Sequence, residues 1–175
     1  MLELGTMVSA PFCGKILADA GAEVIKIEAP LQGDQARGYG PFPDDIPHLE
    51  KSGLFLYLNT SKLGITLDIE QATGREIFLR LLDGVDVFLE NTPFGMLADL
   101  NLDYSTLSGL YPTLIYASIS PFGRTGPYAS YKGHDINTAS IAGAPLQVGR
   151  VDRLPLQIPF NYGGYQAGQV AASTI

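Results

Sequence analysis

Residues 18–28 read Ala-Asp-Ala-Gly-Ala-Glu-Val-Ile-Lys-Ile-Glu, and the fold follows from how this run changes character at Gly21. Upstream, Phe12, Ile16, Leu17 and Ala20 recur at the spacing of one buried helical face. Ser9 and Pro11 suit a helix start, because a hydroxyl accepts the first free amide protons and proline tolerates the opening turn. Gly21 is the stop. Downstream, Glu23 to Glu28 packs β-branched residues into a short block, as a buried strand of an α/β sheet does. A helix running through one glycine into a buried strand is the unit from which parallel sheets are built. Met1 to Thr6 is a short first strand, and Cys13 reads as a small core residue.

The same alternation continues further along. Ala29 to Ser52 is rich in Pro, Gly and Asp and has no periodicity, so a long functional or mobile loop is expected. Within it, Gly33 to Gly38 offers backbone amides and Arg37, open to two readings: an anion contact or a solvated loop. Gly64 to Asp68 is strand-like. Thr73 and Glu76 have capping-box spacing ahead of Ile77, Phe78, Leu81 and Leu82, and Gly84 closes that helix. Val85 to Glu90 is a strand with Asn91 to Gly95 as its exit loop, Tyr104 to Leu110 a helix, and Thr113 to Ser120 a strand. The expected fold class is therefore α/β with a mostly parallel sheet. Ligands of such sheets sit beyond the carboxyl ends of the strands, here Glu28 onward, Glu90-Asn91 and Ser118 to Gly123.

Composition narrows the function classes. The chain has 175 residues, 46% hydrophobic and 17% charged, enough for one packed domain or most of one. Its formal net charge of −7 argues against a nucleic-acid surface or an anionic membrane as partner. One cysteine makes no internal disulfide, and no apolar run reaches the ~20 residues that span a bilayer. With no signal peptide at Met1, a cytoplasmic location is expected. Residues 129–143 draw the chemistry together: Lys132, His134 and Asp135 place a cation, an imidazole and a carboxylate where Gly133 ends a loop and a small-residue helix begins. His48 reads as a surface residue.

Ala18 to Glu28, Gly33-Asp34, Leu58-Asn59 with Lys62, Glu90-Asn91, Leu102-Asp103-Tyr104, Leu114 to Ser120 and Phe122-Gly123 to Gly126-Pro127-Tyr128 occur in register. As a set they resemble the class III coenzyme A transferases, the carnitine-dehydratase and bile-acid-inducible type, which include the α-methylacyl-CoA racemases. The resemblance implies a Rossmann-like large domain, of which residues 1–175 would be the N-terminal part, without the smaller domain, in an interlocked homodimer. It implies acyl-CoA and carboxylic acids as substrates, coenzyme A thioester being substrate rather than tightly bound cofactor, and it assigns no metal. It places Lys62, Asn91 and Lys132 at the coenzyme A moiety.

Gly-His-Asp-Ile-Asn at 133–137 resembles the racemase branch, where the histidine acts at the α-carbon; an ordinary imidazole pKa of about 6.5 suits proton transfer. His134 and Asp135 are thus the candidate catalytic residues, and for His134 a purely structural helix-start role is the competing reading. Two departures stand out. The family's aspartate nucleophile lies about thirty residues beyond the Lys132 position, yet this chain has no acidic residue after Asp152, and the place falls to Asn161, Gly164 or Gly168. The arginine often following the Glu-Asn pair is replaced by Pro93-Phe94 and Asp99. Three functions follow: an acyl-CoA:carboxylate transferase using Asp135 or a carboxylate from another chain, α-proton chemistry at His134, or a catalytically silent domain that binds coenzyme A or a partner.

Overall fold

A computed structural model describes residues 1–175. Its core is a five-stranded parallel sheet of β1 (Leu2–Leu4), β2 (Ile25–Glu28), β3 (Leu63–Thr66), β4 (Val87–Glu90) and β5 (Ile115–Ser118), in the order β3-β2-β1-β4-β5. The strand order reverses at β1, so the carboxyl edge opens a crevice between β1 and its two neighbours. This is the α/β parallel sheet expected from the alternation, and the Rossmann-like arrangement that the resemblance implies.

Each face of the sheet is covered for a reason visible in its residues. Leu2, Ile27 and Phe88 point to one side, where α3 (Ala72–Leu82) and α5 (Tyr104–Leu110) supply Phe78, Leu82 and Leu107 to a single apolar cluster. Phe78, Phe88 and Tyr116 meet edge to face, with centroids 5.2 Å apart in both pairs. On the other side α1 (Ser9–Asp19) lays Ala10 and Cys13 over Leu89. The long α7 (Tyr162–Thr174) packs on α1, with Phe12 and Tyr165 in edge-to-face contact at 4.8 Å.

Several helix details differ from the sequence reading. The buried stripe of α1 is Ala10, Cys13, Gly14 and Ala18, while Ala20 is exposed and Phe12, Ile16 and Leu17 are half-buried, because α1 is sandwiched between the sheet and α7. Val8 precedes the helix, and the Ser9 hydroxyl accepts from Asn91 Nδ2 at 3.0 Å instead of capping its own turn. No capping box forms at Thr73. Helix α3 starts at Ala72 with Gln71 at its N-cap, which puts Thr73 inside the first turn, and Gly74 lies so close to the Asp68 carbonyl that a Cβ there would fall 1.7 Å from the oxygen. Residues 53–58 form the helix α2 (Gly53–Leu58), whose first turn is capped by Ser52 Oγ accepting from Phe55 N at 3.1 Å. The expected exit loop after β4, Asn91 to Gly95, leads directly into the short helix α4 (Met96–Asp99), and the small-residue segment forms α6 (Asp135–Ile141). No helix is long and apolar enough to cross a membrane.

Helices α1 and α7 approach through Gly168, where a Cβ would meet the Ser9 carbonyl oxygen at 2.5 Å and Cys13 N at 3.2 Å. Neither atom belongs to a flexible side chain, so the helices must separate to admit it. Gly168→Ala is expected to destabilise the chain by about 1–3 kcal/mol in chemical denaturation, as overpacking does. An unchanged midpoint would show that the two helices are not held this close. Cys13 is wholly buried, and burial, then the Glu3 carboxylate, pushes its thiol up to about 12. It is expected to resist a thiol reagent at neutral pH until the chain unfolds. Stoichiometric labelling of the native protein would contradict that.

Candidate functional site

The parallel register sets Glu3 of β1 opposite Lys26 of β2, both facing α1. Both are buried, with Lys26 Nζ 3.1 Å from Glu3 Oε1 and 2.8 Å from Asp34 Oδ2, and it donates to the Gly5 carbonyl at 2.7 Å. Lys62 Nζ completes the group 2.8 Å from Glu3 Oε2, donating also to the Pro11 carbonyl and Asn59 Oδ1. Two ammonium groups and two carboxylates thus neutralise one another out of water. Burial opposes the charge on Lys26, but Glu3 and Asp34 more than offset it and raise its pKa; on Lys62 burial wins and the pKa falls. Gly14 is the residue of α1 that passes over Glu3, since a Cβ there would lie 2.0 Å from Oε2. Lys62, expected from the resemblance beside the coenzyme A moiety, has a side chain only 2% exposed and lines none of the clefts described below.

The loop from Ala29 to Ser52 is anchored rather than free. Asp34 Oδ1 accepts from Met7 N and Ala36 N. Arg37 grips Glu28 through Nε at 2.7 Å and an NH2 at 2.8 Å, reaches Glu50 at 3.0 Å, and lies 3.7 Å over the Phe55 ring. The anion that Arg37 meets is therefore a carboxylate of this chain. A second such pair joins Arg124 to the buried Glu90, with Ser118 and the Thr92 carbonyl as further acceptors. Sequence reasoning passed over both pairs; the signal was a charged residue at the end of each apolar strand.

Asn91 lines two of the clefts along the carboxyl edge. Its side chain is a clamp: Oδ1 accepts from Thr6 N at 2.9 Å, and Nδ2 donates to the Thr6 carbonyl at 2.9 Å and to Ser9 Oγ at 3.0 Å. It thereby fixes the β1–α1 connection as the wall between them. The first cleft, about 430 Å³, lies over β1, β2 and β3. The second, about 280 Å³, lies between the start of α1, the end of β5 and the starts of α6 and α7.

The second cleft gathers His134, Asp135, Asn161 and Gly164. Asp135 Oδ1 accepts from Gly163 N at 2.6 Å, tying the start of α6 to the start of α7. Its Oδ2 is buried without a hydrogen-bond partner, as is the neighbouring Ser120 Oγ. His134 is exposed at the N-cap of α6, its amide donating to Asn137 Oδ1 at 3.1 Å. Lys132 is exposed and outside the cleft lining. Among the three positions where the resemblance puts a nucleophile, Gly168 is sealed between α1 and α7, whereas Asn161 and Gly164 face the cleft. Asn161 caps α7 in a left-handed conformation with φ 53°, and a Cβ at Gly164 would lie 3.2 Å from Val8. Asp135 is therefore the carboxylate of this cleft.

Burial alone would raise the Glu28 pKa; the Arg37 hydrogen bonds and the Asp34 amide overcome it and hold the carboxyl below its ordinary 4.5. A depressed folded pKa gives stability that is present above 4.5 and lost as pH falls through the folded value. The chain is expected to lose stability on acidification through that window, and Glu28→Gln is expected to flatten the loss in denaturant titrations between about pH 5 and 3. Equal slopes in the two proteins would show that this pair has no part in acid unfolding.

The site's geometry can be set beside known proteins. The family model described as CoA-transferase family III matches residues 1–175. The chain is 36% identical to the succinyl-CoA:(R)-benzylsuccinate CoA-transferase subunit BbsE of Thauera aromatica, over 93% of this chain and 39% of that protein. It is 37% identical to the succinyl-CoA–D-citramalate CoA-transferase of Chloroflexus aurantiacus, over 98% of this chain and 42% of the relative. The chain thus spans about two fifths of the length of these curated relatives. A crystal structure of a CAIB/BAIF family protein from Brucella suis superposes with a TM-score of 0.83 at 34% identity, covering 99% of this chain and 47% of that one. With the sheet order, the crevice at β1 and the match along the whole sequence in agreement, the chain belongs to CoA-transferase family III.

Proposed function

We propose that this chain is the N-terminal part of the large domain of an acyl-CoA:carboxylate CoA-transferase, and that the thioester carbonyl is handled in the cleft of Asn91, His134 and Asp135. The observation that carries this reading is Asp135 Oδ2, a buried carboxylate oxygen with no hydrogen-bond partner, on the one acidic residue that lines the cleft. In this proposal Oδ2 attacks the thioester carbonyl carbon; the C–S bond breaks, the sulfur leaves with the bonding pair as coenzyme A thiolate, and a mixed anhydride remains on Asp135. The thiolate then attacks the Asp135 acyl carbon, freeing the first acid and leaving Asp135 as the coenzyme A thioester. An incoming carboxylate reverses both steps to give the new thioester. The Gly163 amide keeps the carboxylate aimed while this happens.

Lys132, exposed next to this segment, is assigned to the ligand's rim, and Asn91 to holding the wall against which the ligand lies. The interlocked homodimer belongs to the same proposal. Its support is the run from Ile141 to Phe160, where Ile141, Leu146, Val151, Leu154 and Phe160 are each at least 75% exposed. A second reading is that the nucleophile comes from another chain and this domain only binds. It is favoured by Asn161 and Gly164 in place of a carboxylate, and by the description of the Thauera aromatica relative as a subunit.

The test is an acyl-CoA to carboxylate transfer assay in the full-length protein, run beside deuterium exchange at the substrate α-carbon. Transfer without exchange is expected. Asp135→Asn keeps an oxygen for the Gly163 amide and removes the nucleophile, so transfer is expected to fall at least about 10³-fold with the fold intact by circular dichroism. Full transfer in that variant moves the nucleophile to another chain. Exchange lost with His134→Ala, without transfer, would replace the transferase reading by α-proton chemistry at His134.

A further inference from the structure

Between the end of β5 and Asp135, residues 119–134 form no helix or strand, yet this loop delivers Asp135 to the second cleft. Its ends are pinched together: a Cβ on Gly133 would lie 2.4 Å from Pro121 Cβ and 3.1 Å from the Phe122 ring. Arg124 is the one side chain of the loop that hydrogen-bonds outside it. Its Nε donates to Ser118 Oγ at 2.7 Å, and one NH2 group donates to Glu90 Oε1 at 2.8 Å, to Oε2 at 2.6 Å and to the Thr92 carbonyl at 2.8 Å. Glu90 is a buried anchor that accepts also from the amide and the hydroxyl of Thr92, both at 2.7 Å. Glu90 and Asn91 are consecutive, so one strand end serves two walls of the second cleft. Asn91 clamps the β1–α1 connection, and Glu90 grips, through Arg124, the loop whose Ser120, Pro121 and Gly133 line another side.

We propose that Arg124 is a positioning residue for the reaction at Asp135: its pairing with Glu90 sets where the loop ends and hence where the Asp135 carboxylate stands. The inference rests on the reading of Asp135 as the nucleophile and names what aims it. Arg124 does not line the cleft, so it acts on Asp135 through the loop and not by touching a ligand there. The Asp135 carboxylate has one further tie, the Gly163 amide, which lies ahead of the first backbone bond of α7, Tyr165 N to the Asn161 carbonyl. A shift of the loop therefore breaks that tie and moves the carboxylate. Arginine suits the task because its fork engages Glu90, Ser118 and Thr92 in one fixed geometry, whereas lysine has a single mobile ammonium.

The test compares Arg124→Gln, Arg124→Lys and Asp135→Asn in the full-length protein, the first also combined with the last. Arg124→Gln is expected to lower kcat for acyl-CoA to carboxylate transfer about 10²-fold with KM within about threefold, as a misaimed group does. Arg124→Lys keeps a cation beside Glu90, carries the test if Arg124→Gln does not fold, and is expected to lower kcat about tenfold. On the Asp135→Asn background Arg124→Gln is expected to cost less than about threefold more, since no nucleophile is left to aim. Hydrogen exchange followed by mass spectrometry is expected to be about tenfold faster at the Gly163 amide in both Arg124 variants, with β4 protected as before. Wild-type kcat in both Arg124 variants beside an inactive Asp135→Asn overturns the inference and leaves the transferase reading standing. So does an equal fall in kcat on the Asp135→Asn background, or unaltered exchange at Gly163. Full transfer in Asp135→Asn overturns both.

Discussion

Everything at the carboxyl edge hangs on the buried pairing of Glu3 with Lys26 across β1 and β2. An ammonium in a closed interior needs its carboxylates, and Lys26 finds them only if β1 and β2 are in this register and Asp34 folds back from the following loop. Replacing such a group by a well-packed apolar one is often neutral. Removing one member costs about 3–5 kcal/mol, because the other is left charged and dry. The cluster therefore acts more on register than on net stability. A slip of one residue would turn Glu3 and Lys26 into the apolar cluster of Leu2, Ile27 and Phe88.

From that fixed register the site is assembled by hydrogen bonds that cross large sequence separations. Lys62 ties the approach to β3 to α1 through Pro11, and Asp34 holds Met7 at the turn out of β1. Asn91 closes the same turn from β4, so the connection that divides the two clefts is gripped from both neighbouring strands. The helix packing around the sheet is set by what the backbone leaves out as much as by side chains. Gly14, Gly74 and Gly168 each stand where a Cβ would strike an atom that is held in place. In the second cleft the Asp135 carboxylate is held by a single amide, that of Gly163.

Some of the site was legible in the chain and some was not, and the difference has a physical pattern. His134, Asp135 and Asn91 were recognisable as residues at strand ends and helix starts, and the structure brings all three to one cleft. Lys62 was equally visible, yet its placement depends on a partner far away in sequence, Glu3, and on α1 passing overhead. Arg37 looked free to meet an anion because nothing local showed that Glu28 would take it in a bidentate grip. The buried stripe of α1 was misplaced by a similar omission, since the packing of α7 on its second side has no trace in the spacing of residues 9–20.

The sequence by itself determined the alternation of strand and helix, the parallel sheet and the loss of any acidic residue after Asp152, because periodicity, turn chemistry and composition are local properties. The tertiary structure decided which charges are consumed and which remain available to a ligand. Glu3, Asp34, Lys26 and Lys62 cancel in the interior, Glu28 and Glu90 hold their own arginines, and Asp135 is left with one oxygen free. Charge pairing is a question of distance and burial, and neither is fixed until strands far apart in the chain lie side by side.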